Sequence, residues 1–290
     1  MEKIVQLMST GFPGRDVPLP ATIGVREYAV AHHAKAVLRE GAENRDASVM
    51  GRAIDMWRTV TADTAPRADA DIITASSENA IPLKHVPADM PVWAIGEGHL
   101  KGADDGLTAW VRPAVTAARN AGYSWLVDNA LAIVVSLHPR QLNEATSSWT
   151  VGPLPCTVYT DYYAFGELMG KDLVHEAAHS WLNDCLAVTG DTLDGPAEFW
   201  SPWRQRYRTP FGIVHSAFAF ACVVNYLSWL REHSDDARVA AYCAQRIADE
   251  QDRLTQTLPG ITRSLEVVRD ERVRQMVQAE LETALAGVGA

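Results

Sequence analysis

The stretch Leu173-Val-His-Glu-Ala-Ala-His-Ser-Trp-Leu-Asn-Asp184 sets two histidines four residues apart, with a glutamate directly after the first. On an α-helix, positions four apart share a face, so the imidazoles of His175 and His179 can reach one cation. Glu176 projects beside them, where it can take a proton from a bound water or order the surroundings of a metal. Leu168, Met169, Leu173, Val174, Ala177, Ala178, Trp181 and Leu182 make the surrounding helix a buried one. The two histidines and the glutamate are then polar intrusions on apolar faces. Buried polar groups need partners, and a shared cation would satisfy both rings. Three fixed residues in five positions also recur by chance, so a third ligand matters.

Working outward, the metal helix is expected over residues 163–186. Before it, Leu131-Ala-Ile-Val-Val-Ser-Leu137 reads as a strand, short, apolar and β-branched. Thr150-Val151 and Cys156 to Tyr159 suggest further strands. Short strands are also expected at Asp71-Ile-Ile-Thr74 and Val92-Trp-Ala-Ile95, punctuated by Pro82, Pro87, Pro91, Gly96 and Gly98. Helices are expected over 21–39, over 46–61 with Asp46 as N-cap, and from Leu107 to Asn120, ending at Ala121-Gly122. After the metal helix, helices are expected over 212–231, 236–258 and 261–286. The fold class is α+β, predominantly helical with a small β-sheet beside the HExxH helix, and not a double-stranded β-helix. One catalytic domain is expected over 1–290. Its parts are a mainly helical N-terminal portion (1–124) contributing to substrate recognition, a metal and cosubstrate core (125–232) and C-terminal helices (233–290).

Two residues compete for the third ligand position. Glu198 follows His179 at the spacing of the HExxH-x18-E zinc aminopeptidases. His215 lies on an apolar helix, where His215, Phe218, Ala219, Cys222, Val223 and Tyr226 follow helical periodicity. Residues alone leave both open. Ser136, His138 and Asn143, just after the strong strand, could line a pocket, although polar loop residues explain them as well. The His32-His33 pair is expected to be exposed, and His99 and His233 receive no role.

Between the candidate ligands lie Phe199-Trp-Ser-Pro-Trp-Arg204, Arg206, Arg208, Pro210 and Gly212. With HEAAHSWLND, this block resembles the αKG-HExxH-type peptide β-hydroxylases, a family that modifies ribosomally made peptides. Ser201, Pro202, Trp203 and Arg204 match that family's turn. Gly212 and His215 match the Gly-x-x-His step that opens its next helix, and Ala219-Phe220 match the helix itself. Arg208-Thr-Pro210 departs from the family's adjacent arginine and proline, which leaves Arg206 and Arg208 as alternatives for one position. The resemblance spans roughly residues 125 to 230.

The resemblance implies a non-haem Fe(II) oxygenase with 2-oxoglutarate and O2 as cosubstrates, and His175, His179 and His215 as metal ligands. Imidazoles suit Fe(II) as well as zinc, and three ligands on one face leave open positions for the keto acid and O2. Oxidative decarboxylation to succinate and CO2 then drives removal of hydrogen from an unactivated carbon, the β carbon by analogy with the family. The distal carboxylate of the cosubstrate calls for a planar, bidentate donor, which Arg204 or Arg208 would supply. The competing reading is a gluzincin-type zinc peptidase, with Glu176 as general base and Glu198 as third ligand. A third is a non-catalytic, metal-stabilised binding protein.

Composition bounds the rest. Of the 290 residues, 47% are hydrophobic and 21% charged, ordinary for a globular enzyme. A net charge of −10 argues against nucleic acid as a partner. The substrate is expected to be a peptide or amino-acid derivative. No secretory leader and no membrane span are expected, and Cys156, Cys185, Cys222 and Cys243 read as reduced thiols of a cytoplasmic protein. Oligomeric state is not legible.

Overall fold

Ile133-Val-Val135 seeds the sheet, as its β-branched side chains predict. A computed structural model describes residues 24–62, 72–86, 88–100, 106–142 and 144–286; the chain start, Asp71, Pro87 and Asn143 lie outside the described residues. β4 (Ile133–Arg140) is flanked by two parallel neighbours, β1 (Ile73–Ser76) and β6 (Leu154–Tyr163). β5 (Ser148–Val151) is the antiparallel outer strand beyond β6. A ribbon of β2 (Ile81–Leu83) and β3 (Val92–Ala94) stands apart, which explains how Pro82 can sit within a strand.

Both faces of the sheet are covered. Val134 and Val158 enter the larger core, with the helices from residue 108 onward. Ile133, Val135, Cys156 and Tyr159 turn to a second core with α1 (Val25–Glu43) and α2 (Ala47–Ala62). Double coverage is why β4 reads as a continuous apolar run without alternation. The described structure is 62% helical with a small mixed sheet and no closed barrel, so the fold is α+β and predominantly helical.

Local signals set the helix ends. Asp46 Oδ1 accepts the Ser48 and Val49 N–H groups and caps α2. After α3 (Glu97–Leu100), α4 (Thr108–Ala118) leads through a kink at Gly122, φ 90°, into α5 (Ser124–Ala130). The HExxH helix is α6 (Gly166–Thr189), closed by Gly190 in the left-handed region at φ 67°. Its bounds lie three residues later than expected at each end. Helix α7 (Pro210–His233) starts at Pro210, with Thr209 Oγ1 accepting the Gly212 N–H. By length and composition it could cross a membrane, but 67% of its most apolar window is buried inside the fold.

Two expectations are corrected. A helix break near residues 259–260 is absent, and α8 (Ala237–Leu265) runs through Pro259 and Gly260. Tertiary packing overrides the local signal: a Cβ on Gly260 would lie 3.0 Å from the Phe199 ring, so glycine lets that ring close on the helix. The break comes at 266–270, where Asp191 accepts the Arg269 and Asp270 N–H groups, before α9 (Glu271–Leu285).

His33 is not exposed but fully buried. It bonds Thr157 Oγ1 at 2.8 Å and accepts the Ile95 N–H at 3.1 Å, tying α1 to the sheet and to the segment after β3. Burial, then the neighbouring His32, lowers its pKa from 6.5 to about 3. The unfolded chain therefore binds a proton that the folded one refuses. Stability is whole above pH 6.5 and falls as pH drops toward 3, by up to about 1.4 kcal/mol per pH unit for this one group. Urea unfolding between pH 7.5 and 4.5 should show a shallower slope for His33→Gln than for the parent by about that amount.

Gly170 lies where α6 packs closely on α7 and α4. A Cβ there would strike the Tyr226 hydroxyl and approach the Ala114 carbonyl at 3.1 Å, wedging α6 from α7 and α4. Gly170→Ala is expected to lower unfolding free energy by about 1–3 kcal/mol, despite alanine's better helix propensity. Chemical denaturation measures it.

Candidate metal centre

Helix α6 presents His175 and His179 on one face, and α7 packs against it with His215 on its second turn. His175 Nε2 and His179 Nε2 stand 3.0 Å apart. The His215 ring stacks on that of His179, centroids 4.0 Å apart and planes 12° from parallel. Phe220 closes the far side at 4.7 Å from His175, and Phe211 leans on His215 at 4.7 Å. Three histidines from two segments thus form one cluster.

The donor set fits a cation in part. Cis ligands at bond lengths of about 2.1 Å and right angles are separated by about 3.0 Å, the spacing of the two Nε2 atoms. Three buried ring nitrogens lack a hydrogen-bond partner among the described residues: Nδ1 of His175, Nδ1 of His179 and Nε2 of His215. Only the last of these, Nε2 of His215, is an atom that a cation could satisfy; a cation held by the Nε2 atoms of His175 and His179 would leave their Nδ1 groups unpaired. The His179 carbonyl raises the pKa of His215 against its burial, and Nε2 of His215 is the buried ring nitrogen that would be open to a cation. Among the described residues, no three His, Cys, Asp or Glu side chains already converge as a ready metal cage. Stacking is the reason: a metal lies in the plane of its imidazole, and two nearly parallel rings direct their lone pairs side by side.

Electrostatics keep the rings in the ligating form. Burial lowers the pKa of His175 to about 3, helped by Lys171, His215, Arg246 and Arg204. Burial, then His215 and His175, holds His179 well below its ordinary value, and burial brings His215 to about 4. Neutral imidazole is the form that binds metal. Glu176 moves the other way, raised to about 8 by burial and by Asp172, against the Ser148 hydrogen bond and Arg204. A cation beside it would draw it back toward carboxylate.

Ser148 had no signal in the sequence. It lies on β5 and donates to Glu176 Oε1 at 2.7 Å, fixing the glutamate beside the pair. Asp161 in turn positions β5. This buried carboxylate accepts the His138 and Ser147 N–H groups and Arg140 Nε, pinning both ends of the β4–β5 connection. A serine acting from another strand has no local pattern, so only the tertiary pairing reveals it. One turn before His175, Lys171 Nζ meets Asp172 Oδ1 at 2.6 Å and Thr146 Oγ1 at 3.1 Å, both charged groups buried.

The arginines sit on a hairpin of β7 (Phe199–Ser201) and β8 (Arg206–Arg208). Trp203 anchors it: its Nε1 donates to the buried Glu250 at 2.7 Å, and its ring stacks on Phe220, 4.8 Å away and 2° from parallel. Since Phe220 touches His175, the hairpin is pinned over the cluster. Arg204 acts on all of His175, Glu176 and His179, and Arg208 on His179 and His215. Arg208 lies against Gly212, where a Cβ would meet its Nε at 2.6 Å. Burial, then Arg206 and Arg204, lowers its pKa. Arg206 is exposed and acts on Arg208.

Other expected positions fall elsewhere. Glu198 is on the surface with its carboxylate 3.2 Å from Arg263 Nη2, outside the cluster. Ser136 is buried within β4 and His138 is exposed, so neither lines the centre. A cleft of about 850 Å³, lined by Arg112, Phe165, Trp229, His233 and Asp236, opens at the other end of α6, away from the histidines. Compared with known proteins, the chain matches no family model and no curated protein.

Proposed function

We propose that the protein is an Fe(II)- and 2-oxoglutarate-dependent oxygenase, acting in the cytoplasm, that hydroxylates an unactivated carbon of an amino-acid residue in a peptide or related substrate. One observation carries the reading: His215 joins the HExxH pair, while Glu198, the rival ligand, faces solvent on Arg263. His175, His179 and His215 would hold the iron. Once bound, the iron with 2-oxoglutarate and O2 supplies the oxidation that turns C–H into C–OH, releasing succinate and CO2. Arg204 and Arg208 would receive the distal carboxylate of the cosubstrate, since neither has an acidic partner among the described residues. Phe211, Phe220 and Trp203 set aromatic rings beside the centre. Glu176, held by Ser148, positions a ligand or water. Four free, buried cysteines support a reducing compartment.

Anaerobic reconstitution with Fe(II) or Zn(II), followed by measurement of succinate from 2-oxoglutarate, tests the reading. Succinate from the iron form alone is expected. Glu176→Gln separates the chemistries. As a peptidase base it would account for ~10²–10⁴-fold in rate; as a positioning group it leaves succinate formation detectable. Peptide hydrolysis by the zinc form, lost in Glu176→Gln, would replace this reading with the hydrolytic one.

A further inference from the structure

We infer that the substrate is an extended peptide that docks by main-chain pairing along the outer edge of β5, next to Ser148. The inference rests on the oxygenase reading for its chemistry but on strand geometry for its docking. β5 is the outermost strand of its sheet, paired only with β6. The Asp161 N–H donates to the Ser147 carbonyl at 2.9 Å, which makes Ser147 opposite Asp161 a hydrogen-bonded position. With Ser148 opposite Thr160 and Trp149 opposite Tyr159, alternation turns the N–H and C=O of Ser148 away from β6. The same alternation reaches Thr150, because the extra residues of the following bulge, around Cys156 at φ 56°, belong to β6. No backbone partner for Ser148 or Thr150 occurs on that outer side among the described residues.

Side chains tie this edge to the centre. Ser148 and Thr150 both face α6, Ser148 bonding Glu176 and Thr150 lying 3.4 Å from Ser180 Oγ, one turn after Glu176. Trp149 points to the opposite face and stacks on Tyr159 at 5.6 Å, holding the strand flat. A chain added outside β5 would share its pleat, so every second side chain would face α6 as Ser148 does. The substrate residue level with Ser148 would then bring its first side-chain carbon toward the histidine cluster. Main-chain bonds supply affinity in this mode, and the facing side chain supplies selection. Native sheets protect exposed edges with charge, proline or cover, whereas Ser148-Trp-Thr-Val151 carries neither charge nor proline.

Amide hydrogen exchange on the intact protein tests this with two probes. One is a pool of random-sequence hexapeptides with blocked termini; the other is the same pool N-methylated at every residue. The unmodified pool is expected to slow exchange at the Ser148 and Thr150 amides by about tenfold or more, and the methylated pool to leave them unchanged. Equal protection by both pools, protection confined to the remote cleft, or no protection by either overturns the inference, because main-chain pairing tolerates sequence. Succinate formation by the iron-loaded protein without peptide is measured separately. Protected amides without succinate would keep the docking mode and remove the oxygenase reading. Succinate without protection would do the reverse.

Discussion

Alanine at His175, His179 or His215 is expected to remove stoichiometric Fe(II) binding, while Glu198→Ala leaves it intact. The two helical Nε2 atoms, 3.0 Å apart, would form one edge of a coordination shell, and the buried Nε2 of His215, unpartnered among the described residues, would supply the third nitrogen. Removing a hydrogen-bond partner of a ligand typically costs ~10–100-fold in metal affinity, and deleting a ligand should cost more. Metal content after anaerobic reconstitution and desalting reads it directly. Unfolding scans of the metal-free variants provide the control, since all three rings are partly buried. Loss of binding in Glu198→Ala with retention in His215→Ala would reverse the assignment. It would also require Glu198 to leave Arg263 and enter the site.

The second large effect concerns the cosubstrate. Arg204→Ala and Arg208→Ala should each raise the 2-oxoglutarate concentration needed for half-maximal succinate formation by ~10- to 100-fold, with iron content unchanged. A charge-assisted hydrogen bond contributes about 1.5–3 kcal/mol, and a guanidinium can make two to one carboxylate. Arg208 carries the clearer physical case: partly buried and crowded by two like charges, it gains most from an anion. Arg204→Lys should recover little, because an ammonium cannot reproduce the paired geometry. Arg206→Ala is the internal control, since no electrostatic effect of Arg206 on His175, His179 or His215 is among the largest causes of their shifts. If the Arg204 and Arg208 variants keep the parent's cosubstrate requirement, the keto acid is held elsewhere or is not used.

Much of this protein was legible in order along the chain. HExxH spacing on an apolar helix fixes two donors on one face whatever surrounds them, because helical geometry alone sets that relation. Apolar runs announced β4, β6 and the long helices, and Asp46 announced its cap, since each depends on neighbours a few residues away. The aromatic-arginine block drew attention to the hairpin whose Trp203 stacks on Phe220, and burial of α7 follows from its composition. Tertiary structure decided what local signals could not. It brought His215 rather than Glu198 to the HExxH pair, both at plausible separations, by packing α7 on α6 while the hairpin turned Glu198 outward to Arg263. It carried α8 through Pro259-Gly260 because the Phe199 ring needed the space. It buried His33, whose partners Thr157 and Ile95 lie far along the chain. It also brought Ser148 to Glu176 across a sheet edge. Periodicity reports which face of an element is apolar, but which element meets that face is settled only by the packing of the whole chain.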